Sequence, residues 1–189
     1  SEGVVLGDNE DAGWGHPLVG NPASAVLWSF PSGTSLGGSY GCIWLGWESS
    51  GRVSGQAGMN GVGLALGLTS VPTESGNGSE VSSSPGSMGL YYQILLRCAS
   101  VKEAIELSRS YRFTSMSYQV LVADKDGDAA ILSPHHGPMR ITEKPDDEPH
   151  LVASTVNAAT GRTVGRSDAL GRLRSAAEFF SSVPPGDTS

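Results

Sequence analysis

The chain has 189 residues, of which 26 are glycine and only 16% are charged, and this length suits one domain with a real core. That composition argues for a sheet-rich, turn-rich α+β protein and against a helical bundle. A net charge of −7 and a pI near 5.0 exclude nucleic acid and anionic membrane surfaces as partners, because both need clustered Lys and Arg.

In chain order, Val4-Val5-Leu6 reads as a short buried strand, and 13–22 is a turn region rich in Gly, Pro and Asn. Strands follow at Ala25 to Phe30 and Tyr40 to Trp47, separated by a Gly/Ser turn. Their aromatic residues Trp28, Phe30, Trp44 and Trp47 read either as core or as the lining of an acyl pocket. The stretch Gly58-Met59-Asn60-Gly61-Val62-Gly63 is a tight glycine turn leading into a small-residue strand through Thr69. Glycines at 58, 61, 63 and 67 let a strand or a ligand approach the backbone closely.

Residues 73–87 form a Ser/Gly-rich loop, expected to be flexible. Apolar spacing from Met88 to Cys98 then predicts a helix. Ser100-Val101-Lys102-Glu103 is a capping box that starts a second helix, running to about Arg109. Tyr118 to Ala123 and Ala129 to Leu132 form a strand pair closed by Asp124-Lys125-Asp126-Gly127-Asp128, with Gly127 placed for positive φ. The spaced aspartates resemble a calcium loop but lack its terminal Glu and the rest of its twelve-residue pattern. Further strands are expected at Met139 to Thr142 and His150 to Val156. Ser167 caps a last helix through Phe180, which Pro184-Pro185 ends, leaving 183–189 as a tail. Strands, helices, strands and a helix in this order fit two sheets held between helices, in a single domain spanning 1–189.

Cys42 and Cys98 give neither a disulfide framework nor metal-ligand spacing, and their apolar neighbours suit buried free thiols. No metal site is expected. No leader is visible at the start, and no apolar run reaches the roughly 18 residues that a membrane span requires. These features lean towards a soluble, cytoplasmic chain. Arg162, Arg166, Arg172 and Arg174 form the one basic concentration, which suits a solvated helix face. His135 and His136 follow a strand and precede Gly137, as turn residues do.

Four segments occur in a fixed order: Leu6-Gly7-Asp8-Asn9-Glu10-Asp11, then Gly58-Met59-Asn60 through Thr69, then Ala123-Asp124 through Ile131, then Ala153-Ser154-Thr155-Val156-Asn157. Together they resemble the acyl-coenzyme A:6-aminopenicillanate acyltransferase family and its relatives, the choloylglycine hydrolases and penicillin V acylases, within the N-terminal-nucleophile hydrolases. The resemblance spans roughly residues 4–175 and implies a four-layer αββα sandwich of mainly antiparallel sheets, incomplete at both ends. It also implies an amidohydrolase or acyltransferase acting on a linear C–N bond through an acyl-enzyme, with no cofactor.

In that family the nucleophile is an N-terminal Cys exposed by autoproteolysis, and its own α-amine takes the proton. Such an amine has a pKa near 8, so no histidine is needed. The resemblance makes Asp11 the group that orients the amine, Asn157 an oxyanion donor, and Thr69 a polar oxyanion-site residue where relatives often have Asn. Asn60 and Arg166 are further substrate-binding candidates, as is Trp28 from its place among the strand aromatics, while Asn9 in its family position fixes backbone geometry more readily than it touches substrate. Asp8 stands where close relatives have Arg, an exchange of charge that disfavours anionic, bile-salt-type substrates.

Ser1 lies ten positions before Asp11. That is too few residues for a nucleophile strand, a turn and a return at about 3.3 Å per residue. Three readings follow: a terminal Cys comes from a partner segment, Ser1 is itself the nucleophile, or catalysis has been lost. In the last case the chain binds a small acyl or peptide ligand, or self-associates into a homo-oligomer through an unpaired sheet edge. Otherwise its partner is a small-molecule amide or peptide substrate.

Overall fold

The computed structural model describes residues 6, 25–33, 38–49, 52–76, 89–164 and 169–182. Seven strands form one antiparallel sheet in chain order: β1 (Ala25–Phe30), β2 (Cys42–Ser49), β3 (Arg52–Asn60), β4 (Leu64–Ser75), β5 (Ser115–Asp124), β6 (Ala129–Ser133) and β7 (Arg140–Glu143). Helices α1 (Leu90–Arg97) and α2 (Val101–Ser110) lie between β4 and β5 in sequence, and α3 (Ala169–Ser182) follows β7.

Strand alternation separates two faces. Leu64, Leu66 and Leu68 of β4 stand opposite Asp124, Val122 and Val120 of β5, and the row continues to Ala130 and Leu132 of β6. These side chains are buried with Ile94 and Leu95 of α1 and Val101, Ala104 and Ile105 of α2. This is the helix-covered face, and it holds the core. Ala65, Gly67 and Thr69 of β4 point the other way, as do Gln119, Leu121 and Ala123 of β5.

The glycine-rich hairpin is explained by the core itself. The buried Trp44 indole lies flat on the β3 backbone, where Gly55 and Gly58 leave no room for a Cβ, and Leu95 also presses on Gly58. Trp44 stacks on Tyr91, with ring centroids 5.0 Å apart and planes 7° from parallel. Gly63 turns the chain into β4 at φ +92. The close approach made possible by Gly55 and Gly58 is thus that of the protein's own side chains.

Asp124 explains a second motif. Its buried carboxylate accepts from Val101 N at the start of α2 (2.9 Å), and from Asp126 N (3.1 Å) and Asp128 N (3.3 Å) in the hairpin. One side chain therefore joins the β5–β6 turn to the N-terminus of α2, a position that favours negative charge. Gly127 has φ +96, as its place in the turn predicts. Ser100 accepts from Glu103 N (3.3 Å), while Glu103 reaches back one residue further than expected, to Ala99 N (2.8 Å).

Several expectations change. The described strands make one sheet rather than two. The sequence does not suggest β3 over its whole length, because Ser54, Gly55, Gln56 and Gly58 interrupt its apolar pattern. Residues 73–75 belong to β4, beyond a register shift between Ser70 and Glu74 where Pro72 cannot donate to a ladder. Residues 77–87 of the Ser/Gly-rich loop, Val4 and Val5 of the expected first strand and the 183–189 tail lie outside the described residues. The expected His150 to Val156 strand is absent; only an isolated bridge joins Val156 to Thr163. Arg162 lies in that turn rather than on a helix face. Among the described residues, no helix is long and apolar enough to cross a membrane.

Candidate functional site

Opposite the helix-covered face, a polar cluster interrupts the sheet. Thr69 on β4 and Gln119 on β5 are cross-strand partners, and Ser133 at the end of β6 falls beside Gln119. Gln119 and Asn157 are fully buried. Such groups must find partners, since an unpaired buried polar group costs about 1–3 kcal/mol.

The partners lie in the segment 154–162, which crosses the cluster without ladder pairing. Gln119 Nε2 donates to the carbonyls of Ser154 (2.7 Å) and Val156 (2.9 Å). Its Oε1 accepts from Ser133 Oγ (2.8 Å) and Ala158 N (3.1 Å). Thr69 Oγ1 also donates to the Ser154 carbonyl, at 2.8 Å. These bonds explain the missing strand: side chains rather than a neighbouring backbone hold the carbonyls of 154 and 156.

Asn157 sits at the centre of this arrangement. Its Oδ1 accepts from Ala159 N (2.8 Å) and Thr160 N (3.2 Å), the pattern of an Asx turn. Its Nδ2 donates to the Pro134 carbonyl at 2.9 Å. Two acceptances on one end and a donation on the other fix the direction of the amide. The remaining Nδ2 hydrogen has no acceptor among the described residues. Its backbone N also donates to the Arg162 carbonyl (2.8 Å), closing the turn. From that turn Arg162 reaches Glu74 on β4 at 3.0 Å; the Glu74 side chain is 7% exposed and that of Arg162 63%.

Thr69 thus holds, at the Ser154 carbonyl, the same segment that carries Asn157. Thr69's single hydroxyl proton goes to that carbonyl, so in this arrangement the residue holds the loop rather than offering a donor to a ligand. Asn60 is elsewhere, on the helix-covered side opposite Cys42. Its Nδ2 donates to the carbonyls of Leu95 (3.0 Å) and Cys98 (2.8 Å), and its Oδ1 accepts from Val62 N (3.2 Å) and Leu64 N (3.0 Å). No hydrogen-bonding capacity is left for a substrate. Trp28 stands opposite Trp44 and packs against the core, so the sheet separates it from Thr69 and Asn157. Ser1, Asp8, Asn9, Asp11 and Arg166 lie outside the described residues.

Sequence reasoning missed Gln119 and Ser133. The available signal was a carboxamide next to Val120 in a strand otherwise built for burial. Neither internal thiol suits nucleophilic work. Cys42 and Cys98 are free and buried, and burial raises both pKa values, that of Cys98 to about 11. Among the described residues, no group of three or more His, Cys, Asp or Glu side chains could hold a metal ion.

No family model matches the chain, and no curated protein matches it. Solved structures do. Two variants of the conjugated bile acid hydrolase from Clostridium perfringens are each 12% identical, with a TM-score of 0.53 over 87% of this chain. The match covers 66% of one and 65% of the other. Penicillin V acylase from Agrobacterium tumefaciens is 20% identical over 88% of this chain and 67% of its own, with a TM-score of 0.49. The chain thus spans about two thirds of the length of these proteins. At such identity the bile acid hydrolase likeness is one of fold: α+β, with a multi-stranded antiparallel sheet and few helices.

Proposed function

We propose that this chain forms most of an N-terminal-nucleophile amidohydrolase or acyltransferase domain acting on a linear C–N amide bond. The observation that carries the reading is Asn157, a fully buried carboxamide whose direction is fixed and whose second Nδ2 hydrogen lacks an acceptor among the described residues. A donor held this way needs no reorganisation when negative charge develops on a carbonyl oxygen. The fold likeness supports the same assignment.

In this reading a terminal thiol or hydroxyl attacks the amide carbon, and its proton passes to the α-amine of the same residue. The oxyanion accepts from Asn157 Nδ2. Collapse expels the amine, which takes up the proton, and leaves an acyl-enzyme for water or an acceptor amine to resolve. Asp11 orients the α-amine, and a terminal Cys outside this sequence, or Ser1, is the nucleophile. The described sheet and its two helices supply one half of the αββα sandwich. Asp8 directs the choice of substrate away from anions.

A second reading, a non-catalytic homologue that binds a small acyl or peptide ligand, is favoured by one observation. Two of the three expected polar site residues in the described region, Thr69 and Asn60, are committed to internal carbonyls and amides. Intact mass and terminal sequencing of the native gene product separate the two when combined with turnover of N-acyl amides bearing a chromogenic amine. Asn157→Ala should lower turnover on the order of 10²-fold, the usual loss for one oxyanion donor. An unchanged rate would remove Asn157 from the mechanism, and ligand binding without any turnover would favour the second reading.

A further inference from the structure

Gln119 and Ser133 close a ring around Asn157. Starting from Gln119 Oε1, the ring passes to Ala158 N (3.1 Å), along the chain to Asn157, from its Nδ2 to the Pro134 carbonyl (2.9 Å), and along the chain to Ser133. Ser133 Oγ returns to the same Oε1 at 2.8 Å. Every link is a hydrogen bond or a peptide bond. The other end of the Gln119 amide binds the carbonyls of Ser154 and Val156, so one side chain grips the chain at 154, 156 and 158, on both sides of Asn157.

From this geometry we infer that Gln119 is the positioning residue of the site, with Ser133 as its relay to Pro134, and that together they aim the Asn157 carboxamide. The functional consequence rests on the amidase reading above; the positioning itself does not. Gln119 has all four hydrogen-bonding positions filled by protein groups and is fully buried, so its work is to hold others rather than to touch a ligand. A strand in the middle of a sheet is a rigid place for such a support, whereas the 154–162 segment has only an isolated bridge of its own.

The test uses the full chain labelled with ¹⁵N, with the Asn157 side-chain resonances assigned by their loss in Asn157→Asp. Hydrogen exchange of the two Nδ2 protons is read in the native chain, in Gln119→Met and in Ser133→Ala. One bond of ordinary net strength corresponds to roughly a 2- to 10-fold change, the effect expected for Ser133→Ala. For Gln119→Met, which removes four bonds, the effect should be about 10-fold or more. The backbone amides of Leu66 and Val122, in the middle of the sheet, keep native exchange; general loosening would move them too.

Gln119→Glu adds a pH signature. The variant keeps the acceptor for Ser133 and Ala158. Its neutral carboxyl can donate to Ser154 or Val156, but its carboxylate is repelled by both carbonyls. Burial raises its pKa above the ordinary value of about 4.3, so Asn157 is ordered at low pH and loses order as the pH rises through that raised value. A glutamine does not titrate, so position 119 gives the native chain no such transition.

Native exchange at Asn157 in folded Gln119→Met would overturn the inference. Should that variant not fold, native exchange in Ser133→Ala would do the same. If positioning holds but Asn157→Ala leaves amide turnover unchanged, it is the oxyanion reading that fails and not the support by Gln119. With both intact, Gln119→Met lowers kcat on the order of 10²-fold with little change in KM, the cost of a misplaced catalytic group.

Discussion

Replacing Asn60 with alanine tests whether this motif residue serves substrate or fold. The change removes two donations, to the Leu95 and Cys98 carbonyls, and two acceptances, from Val62 N and Leu64 N. Leu64, Leu95 and Cys98 are buried, so water cannot readily replace the asparagine there, while the bond to Val62 is only part-buried. Counting about 1 kcal/mol net for each bond, with the part-buried one discounted, gives a loss of roughly 3–4 kcal/mol. The loss falls where the β3–β4 turn meets the end of α1, so the whole cooperative unit should feel it. Urea denaturation followed by tryptophan fluorescence measures the change through the midpoint, provided the slope stays constant. Asn60→Asp keeps the two acceptances but aims a carboxylate at two carbonyls, and it should be at least as damaging. A loss under 1 kcal/mol for Asn60→Ala, together with a raised KM for an amide substrate, would refute the structural role and restore Asn60 to the binding site.

The remaining predictions concern the cluster and the thiols. Thr69→Val removes the donation to Ser154 but leaves that carbonyl bonded to Gln119, so it should cost about 1 kcal/mol in urea denaturation. Its effect on turnover should be well below that of Asn157→Ala; an equal or larger loss would make Thr69 an oxyanion donor after all. Cys98 links stability to alkaline pH. Its folded pKa, pushed to about 11 by burial, exceeds the ordinary 9.0, so above pH 9 the unfolded chain holds fewer protons than the folded one. This contribution is therefore complete below pH 9 and falls away up to about pH 11. Cys98→Ala should flatten that decline in denaturation midpoints taken at successive pH values, and an identical decline would show that Cys98 is not its source. In the folded chain at pH 8 both thiols should react with a thiol reagent far more slowly than after denaturation.

Much of the fold was legible because its signals are local. The capping box at Ser100, the turn at Gly127 and the apolar spacing of α1 each reflect interactions within a few residues of one another. The strand pair at 118–123 and 129–132 is similarly visible, though not which face the helices cover. The polar cluster is different. Thr69, Gln119, Ser133 and Asn157 come from three strands and a loop, so nothing in their spacing joins them. Sequence reading selected Thr69 and Asn157 through the resemblance and assigned both to the oxyanion; the geometry gives Thr69's proton to Ser154 and leaves one Asn157 Nδ2 hydrogen without an acceptor among the described residues.

The same contrast explains why His150 to Val156 reads as a strand in the sequence. Val152 to Val156 has the composition of a strand, but a strand needs a neighbour with free backbone groups. Instead, Gln119 and Thr69 bring side-chain donors to those carbonyls from the face of the sheet, and the chain remains irregular where Asn157 turns inward. An ordinary ladder would use up the backbone groups of successive residues and direct alternate side chains to opposite faces. Irregular backbone held by side chains allows an Asx turn, a donation to Pro134 and an attachment to β4 within one short segment. The departure from regular structure and the orientation of Asn157 thus have one physical cause, a buried glutamine in the middle of the sheet.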